Sequence, residues 1–341
     1  MKFGIFGGAT AKSDIGVSDS QLYEEFIDYV CEAEDLGFHS VFLVEHHFTG
    51  MAQVSSSLTL LTYLAAKTKR LRLGTAVTVL PWHNPALLAE QVATLDLLSK
   101  GRVDLGVGRG YRHNEFQGFC IPIEEATERY EEALSFLRKA WNSPGRFSHH
   151  GKRWHFEDVV IEPPITQKPH PPFWVGAGRP EAIRAVGEQG FNLLLDQFGP
   201  PDVTGERIAA YRSGLAAGGH AFDGSRVGLT RALHVAMNQR ERERAYEDRA
   251  KFLLGVQALA ANPNAPSSLA LPTSFADTRF ATEQAALIGT PDEIIERLRA
   301  LQAVGVEYVL LLDVTGSRTA LRTFAREVMP EFEGPAVAAA Q

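Results

Sequence analysis

The chain has few cysteines and no long hydrophobic run. Cys31 and Cys120 are the only cysteines among its 341 residues. Two thiols are too few for a disulfide framework or a four-thiolate zinc site. The longest apolar runs, such as 306–314, fall far short of the roughly 20 residues that a transmembrane helix needs. The N-terminal residues 1–7 are strand-like and lack the pattern of a cleaved signal peptide, so we expect a reduced, cytoplasmic protein without a membrane anchor.

Basic charge is also scarce. Lys and Arg number 34 against 41 Asp and Glu, which gives a net charge of −7. Proteins that bind nucleic-acid backbones usually carry a basic face, so no nucleic-acid partner is expected. The chain has no helical His-Glu-x-x-His motif, and the adjacent His46 and His47 cannot easily chelate one ion from a strand. We therefore predict no metal site.

What the chain does have is an alternation of short apolar runs with amphipathic stretches. This pattern predicts parallel strands joined by helices, since each crossover must return to the same end of the sheet. A doubly wound sheet is the competing architecture, but its glycine-rich turn is absent after the first strand. We therefore predict an α/β TIM (β/α)8 barrel. The predicted strands are 2–7, 40–44, 71–80, 102–108, 173–177, 191–196, 227–237 and 306–314.

Capping signals and composition define the rest of the organisation. Ser18 and Gln21 have capping-box spacing, as do Thr290 and Glu293. Asn84 precedes Pro85 as a helix N-cap. The prediction is one barrel domain over 1–334, with insertions at about 143–172 and 254–288. The second insertion is interpreted as a mobile lid, and 335–341 as a flexible tail.

In a barrel of this kind the reactive groups follow the carboxyl ends of the strands. Glu45, His46 and His47 follow the second predicted strand. Side chains alternate along a strand, so only one of the two histidines can face the barrel mouth. The inward one could serve as an acid or base near neutral pH. A structural histidine bonded to a loop carbonyl is the alternative.

A second group of residues suggests an anion site. Arg109 follows the fourth strand, and the turn 176–180 follows the fifth. Gly178 lets an anion approach the backbone, and Pro180 suits the first position of a helix whose free N–H groups bind phosphate. Arg129 could add a further positive charge. The alternative is a glycine-tolerant turn with surface arginines.

Several of these segments together resemble one family. They are 44–49 (VEHHFT), 74–76 (GTA), 99–102 (SKGR), 108–110 (GRG) and 289–293 (GTPDE). In this order they resemble the bacterial luciferase-like, flavin-dependent monooxygenases. The resemblance implies a TIM-type barrel with non-covalent FMN, which a separate flavin reductase reduces. With the reduced FMN, the barrel enzyme would use O2 to oxygenate a small organic substrate of aldehyde or ketone type. It also implies a homodimer, to which the helix at 58–67 could contribute.

The resemblance assigns roles to individual residues. His46 matches the catalytic histidine, with Glu45 beside it near the flavin. Ala76 and Val77 match a non-prolyl cis peptide under the flavin ring, and Trp82 would shape the substrate pocket. The residues that would bind the cofactor around its phosphate are Arg109, Tyr111, Arg129, Gly176, Ala177, Gly178 and Arg179.

The sequence departs from the family pattern at several positions, and two alternative functions stay open. Gly178, Arg179 and Ala182 replace a Glu/Ser/Thr set that binds phosphate in the family. Gly108 stands where true luciferase catalytic subunits have a reactive cysteine, so light emission is not supported. The same barrel could instead use a deazaflavin as a hydride carrier, which does not activate O2. A non-catalytic flavin-binding subunit is the third possibility, but such subunits lose the histidine and the phosphate arginine that His46 and Arg109 supply here.

Overall fold

Eight parallel strands form a closed barrel in the computed structural model, which describes residues 1–9, 18–51, 53–260, 275–314 and 316–333. The strands of the described residues are β1 (Lys2–Gly7), β2 (Ser40–Leu43), β3 (Arg72–Thr75), β4 (Thr78–Val79), β5 (Val103–Gly108), β6 (Phe147–His150), β7 (His155–Val159), β8 (Phe173–Gly176), β9 (Asn192–Leu195), β10 (Val227–Val235), β11 (Leu287–Gly289) and β12 (Tyr308–Asp313). Around the barrel the order is β1, β2, β3, β5, β8, β9, β10 and β12. The ring closes where β12 pairs with β1. The predicted TIM barrel is confirmed.

Helices connect the strands on the outside of the barrel. They are α1 (Asp19–Asp35), α2 (Ser57–Lys67), α3 (Pro85–Leu98), α4 (His113–Gly118), α5 (Ala126–Asn142), α6 (Pro180–Glu188), α7 (Pro201–Ala217), α8 (Gln239–Ala260), α9 (Phe275–Ala285), α10 (Pro291–Ala303) and α11 (Arg318–Glu327). In the described part of the chain, no helix is both long enough and apolar enough to cross a membrane.

The predicted caps are present, one of them only in part. The Asn84 side chain accepts the N–H groups of the first turn of α3. Thr290 and Glu293 form the full capping box of α10. Ser18 accepts the N–H of Gln21, but the Gln21 amide turns to Glu25 instead of back to the cap. These local bonds satisfy donors that a helix N-terminus leaves free, which is why the sequence marks the helix starts well.

Aromatic and aliphatic side chains fill the lower half of the barrel interior. Phe42, Trp174 and Tyr308 meet edge to face, with ring centroids 5.6 to 6.4 Å apart, and Leu194 and Leu310 complete the cluster. A second, larger core lies between the strands and the surrounding helices. Because the packed plug occupies the amino ends of the strands, space remains only at their carboxyl ends.

The structure differs from the prediction in three segments. The strand at 71–80 is broken into β3 and β4, since the Ala76–Val77 peptide between them is cis. The six-residue α4 was not predicted, because it is too short for an apolar periodicity. Within 254–288, α8 continues to Ala260, and α9 and β11 follow from Phe275, so much of the predicted lid is helical. The residues between these helices, and the predicted tail 335–341, lie outside the described residues.

Candidate active site

A cavity of about 1700 Å³ opens at the carboxyl ends of the barrel strands. Pockets for one small ligand usually measure about 300–1,000 Å³, so this cavity has room for a cofactor and a substrate together. Most of the predicted site residues line it, namely Glu45, His46, Ala76, Val77, Arg109, Tyr111, Gly176, Ala177, Gly178 and Arg179. Trp82 and Arg129 are not among its lining residues.

His46 is the histidine that faces the cavity, and a carboxylate orients it. Its Nδ1 lies 3.1 Å from Oε1 of Glu115, which also accepts the backbone N–H of His47 at 2.9 Å. Since a carboxylate accepts, the hydrogen bond places the proton on Nδ1 and leaves the Nε2 lone pair for the cavity. Burial lowers the pKa of His46, and Glu115 only partly opposes this effect. The imidazole is therefore neutral at neutral pH.

Glu45 is a fully bonded carboxylate at the cavity wall. It accepts hydrogen bonds from His47 Nε2 at 3.0 Å, His83 Nε2 at 2.7 Å and the Val79 N–H at 2.9 Å. Burial alone would raise the pKa of Glu45, but these bonds lower it to about 2. The residue is thus ionised, and it ties the loop after β2 to the segment that follows the cis peptide.

Trp82 does not line the cavity but packs against residues next to it. It lies in a short 3-10 helix, stacks on Phe119 with centroids 5.2 Å apart, and meets His47 edge to face at 5.4 Å. The structure therefore does not place Trp82 in the substrate pocket. The chain turns outward after β4, so Trp82 lies behind the cavity wall although it follows this strand closely in sequence.

The cis peptide forms part of the cavity floor. The Ala76–Val77 bond is cis, as the resemblance implied. Val77 leans over the neighbouring strand, where a Cβ atom on Gly108 would lie 2.4 Å from its Cγ2. That distance is far inside van der Waals contact, so any side chain at position 108 would require the Val77 side chain to shift. The absence of the luciferase cysteine at Gly108 therefore has a packing reason in this chain.

Anion donors converge at one end of the cavity. Arg109 is exposed, and its Nη1 lies 3.2 Å from the Thr127 hydroxyl. Beside it, α6 begins at Pro180 with no side-chain cap on its free N–H groups. An arginine, a hydroxyl and an uncapped helix N-terminus are the donors that a phosphate requires. Arg179 at the same turn is exposed and lies 3.6 Å from Glu181.

Arg129, the other predicted phosphate arginine, points elsewhere. Its Nε donates to Glu125 at 2.9 Å, one turn earlier on the chain. Thr127 faces the cavity instead, because two residues along a helix differ by about 200° in direction. Thr127 was not predicted from the sequence. The residue at which α5 begins determines whether position 127 or position 129 lies on the side of the helix that faces Arg109.

Two further residues of the site were not predicted, Arg112 and Glu115. Both are 2% exposed and lie at the start of α4. The Nη1 atom of Arg112 is 3.9 Å from Glu115, and its buried Nε has no hydrogen-bond partner among the described residues. No group of His, Cys, Asp and Glu in the described ranges could hold a metal ion.

The match to a family model settles the relationship. The model for luciferase-like monooxygenases matches residues 1–308. The chain belongs to the luciferase-like monooxygenase family. Its resemblance to that family, drawn above from short motifs around His46 and Arg109, is confirmed over most of its length.

Several family members are similar along nearly the whole chain. The oxygenase component of a flavin-dependent trigonelline monooxygenase from Acinetobacter baylyi is 28% identical, covering 97% of this chain and 96% of the relative. An FMNH(2)-dependent dimethylsulfone monooxygenase from Pseudomonas putida is 30% identical over 87% of this chain and 85% of its own. The crystal structure of the monooxygenase RslO1 from Streptomyces bottropensis superimposes with a TM-score of 0.84 at 26% identity, covering 98% and 100% of the two chains.

Other relatives of the chain are named for another cofactor. An F420-dependent glucose-6-phosphate dehydrogenase from Microbacterium testaceum is 27% identical over 90% of this chain and 93% of the relative. Relatives named for both cofactors are oxidoreductases, and membership of the family places this chain among oxidoreductases. The names leave open which of the two cofactors this chain binds.

Proposed function

We propose that the protein is an FMN-dependent monooxygenase that uses reduced FMN and O2 to oxygenate a small organic substrate of aldehyde or ketone type. One observation carries the proposal. A single cavity joins a carboxylate-backed imidazole, His46, to a set of phosphate donors around Arg109. The names of the flavin- and FMNH(2)-dependent relatives support it.

The residues present suit FMN. Arg109, Thr127 and the free N–H groups at the start of α6 would hold its phosphate. The floor formed by Ala76 and Val77 would lie under the ring. A floor of small and aliphatic side chains suits a flat aromatic ligand, because no charged group projects from it. Reduced FMN would supply the electrons that activate O2.

His46 supplies the proton chemistry in this proposal. Its Nε2 can accept a proton from the reacting centre because Glu115 keeps the proton of the ring on Nδ1. The carboxylate then stabilises the imidazolium that forms, as an orienting acid does for other catalytic histidines. Around it the cavity is lined largely by apolar side chains, which limit the access of water to the reaction.

The FMN site is tested by a pair of arginine variants. Arg109→Gln should weaken FMN binding about tenfold or more, because a charge-assisted hydrogen bond contributes roughly 1.5–3 kcal/mol. Arg129→Gln is the matched control and should bind FMN within about twofold of the wild type, since its side chain is paired with Glu125 off the cavity wall. Quenching of flavin fluorescence measures both. Equal effects in the two variants would remove Arg109 from the site.

A deazaflavin-dependent hydride transfer is the second candidate. The cavity extends between α5 and α6 past Arg138, Asn142 and Gln189, and this extension could receive a cofactor tail longer than that of FMN. F420-dependent relatives support this reading. Assays with reduced FMN under air and with reduced F420 under anaerobic conditions separate the two functions, because only the flavin reaction consumes O2.

The proposed partners follow from the same function. A separate flavin reductase would supply the reduced FMN. One relative is named as the oxygenase component of a flavin-dependent monooxygenase, and this name implies a separate reductase for that enzyme. We also propose a homodimer through α2 and α3, which expose Tyr63, Leu87, Leu97 and Leu98. Large apolar side chains exposed together on neighbouring helices are typical of an interface. The cytoplasmic location stays a prediction.

A further inference from the structure

Arg249 of α8 is a buried arginine on the wall of the cavity. Its exposed fraction is 4%, and it lies on the side of the cavity formed by the ends of β9 and β10. Its guanidinium donates to Oε1 of Gln197 and lies over the ring of Phe252, 5.1 Å from the centroid. These two contacts hold the guanidinium in place without neutralising its charge.

No carboxylate of the described residues forms an ion pair with Arg249. Other arginines of the same region are paired, Arg207 with Asp196 and Arg242 with Glu293. Asp248, the preceding residue on the helix, also lines the cavity, but its carboxylate lies 3.7 Å from Arg244. Burial lowers the pKa of Arg249 to about 10, so it stays charged at neutral pH.

Gln197 adds a second donor to the same wall. Because its oxygen accepts from Arg249, the amide nitrogen is left without a hydrogen-bond partner in the described part of the chain. A buried cation costs free energy unless an anion pairs with it. Arginine and amide N–H groups together offer only donors, and the fork of the guanidinium suits a planar carboxylate.

We propose that Arg249 and Gln197 bind a carboxylate group of the organic substrate, so that the aldehyde or ketone on which this enzyme acts is a small oxo acid with an apolar body. The body would lie against Phe252, Leu253 and Val256, which line the same side of the cavity. The substrate class rests on the proposed function, whereas the anion subsite rests on the cavity alone. The cofactor phosphate is a different anion, since its donors follow β5 and β8 while Gln197 follows β9.

The test compares acids with their amides. Binding of benzoate, phenylacetate and hexanoate, each against the matching amide, is measured by calorimetry on the FMN-loaded protein. The wild type should bind at least one acid about tenfold more tightly than its amide. Arg249→Gln should reduce that preference to within about twofold, and Arg249→Lys should retain part of it. Arg244→Gln, which removes an exposed charge from the same helix, should leave it unchanged.

Each other outcome overturns the proposal. The proposal is wrong if the wild type binds no acid more tightly than its amide, or if the Arg249→Gln variant keeps the preference. It is also wrong if Arg244→Gln removes the preference as fully as Arg249→Gln does. The FMN affinity of Arg249→Gln should match the wild type, and a tenfold loss would assign the arginine to the cofactor instead. If the wild type does not bind FMN, the proposed function fails, and the same acid and amide pairs on the FMN-free protein still decide whether the subsite exists.

Discussion

The two ends of the barrel treat buried charge in opposite ways. At the amino end, Arg72 donates to both carboxylate oxygens of Asp104, at 2.7 and 2.8 Å, and to the backbone of Val103 at 3.0 Å. Nearby, the hydroxyls of Ser40 and Tyr308 bond to each other. These polar groups at the amino end of the barrel, called the base of the barrel below, have partners within the protein.

At the carboxyl end, several buried groups have donors or acceptors to spare. Among the described residues, Arg249 has no carboxylate partner and the Nε of Arg112 has no hydrogen-bond partner, while His46 lines the cavity. Arg72 and Asp104 thus stabilise the fold at the amino end, whereas Arg249, Arg112 and His46 leave polar atoms for ligands at the carboxyl end. Substitutions at the mouth should therefore change binding and rate, whereas substitutions at the base should change the free energy of unfolding.

The largest effect is expected at the mouth. His46→Ala should lower the rate of product formation about 10³-fold, since general acid–base catalysis contributes roughly 10²–10⁴-fold. FMN affinity should stay within about threefold of the wild type, and so should the free energy of unfolding. Oxygen uptake and product analysis with a coupled reductase measure the rate. A variant that keeps turnover within a few-fold would show that His46 is not the acid or base.

Substitutions at the amino end of the barrel should change the stability of the protein and not its activity. Asp104→Ala should lower the free energy of unfolding by about 3 kcal/mol, because it removes a buried carboxylate and leaves the half-buried Arg72 without its partner. Urea denaturation measures the loss. Glu331→Ala, which removes an exposed partner from Arg299, is the control and should cost less than about 1 kcal/mol. If Asp104→Ala remained as stable as the control, or lost activity while still folded, the contrast between the two ends would not hold.

A smaller effect is expected from the residue that orients the histidine. Glu115→Gln removes a charge that raises the pKa of His46, so that pKa should fall further. The base form of His46 is lost as the pH falls through its pKa, and the acid limb of the kcat profile should therefore move to lower pH. We expect kcat itself to fall about tenfold, because the charge-assisted bond weakens. An acid limb that stays in place or moves to higher pH would mean that Glu115 does not act through His46.

The sequence was sufficient for the barrel, since its strands and helices are marked by local signals. Alternating apolar runs and N-caps such as Asn84 and Thr290 fix element positions within a few residues. The strand ends also place reactive residues at the mouth, which is how His46 and Arg109 were found. These inferences need only the parallel topology, and that topology follows from the alternation itself.

The remaining site residues depend on geometry that the sequence does not carry. Glu115 meets His46 across 69 positions, and this contact exists only because α4 folds back over the mouth. Thr127 and Arg129 differ only in helix phase, which depends on where α5 begins. Trp82 follows a strand closely but turns outward. Arg249 lies among many other charged residues in the sequence of its helix, and only its burial beside a cavity distinguishes it.

The central claim is that a flavin lies across the barrel mouth between Arg109 and His46, and a crystal structure of the FMN complex tests it most directly. We predict a phosphate within hydrogen-bond distance of the Arg109 guanidinium and the first N–H groups of α6, with the ring over Ala76 and Val77. A flavin phosphate bound away from Arg109, or a ring that leaves His46 out of reach, would contradict the account.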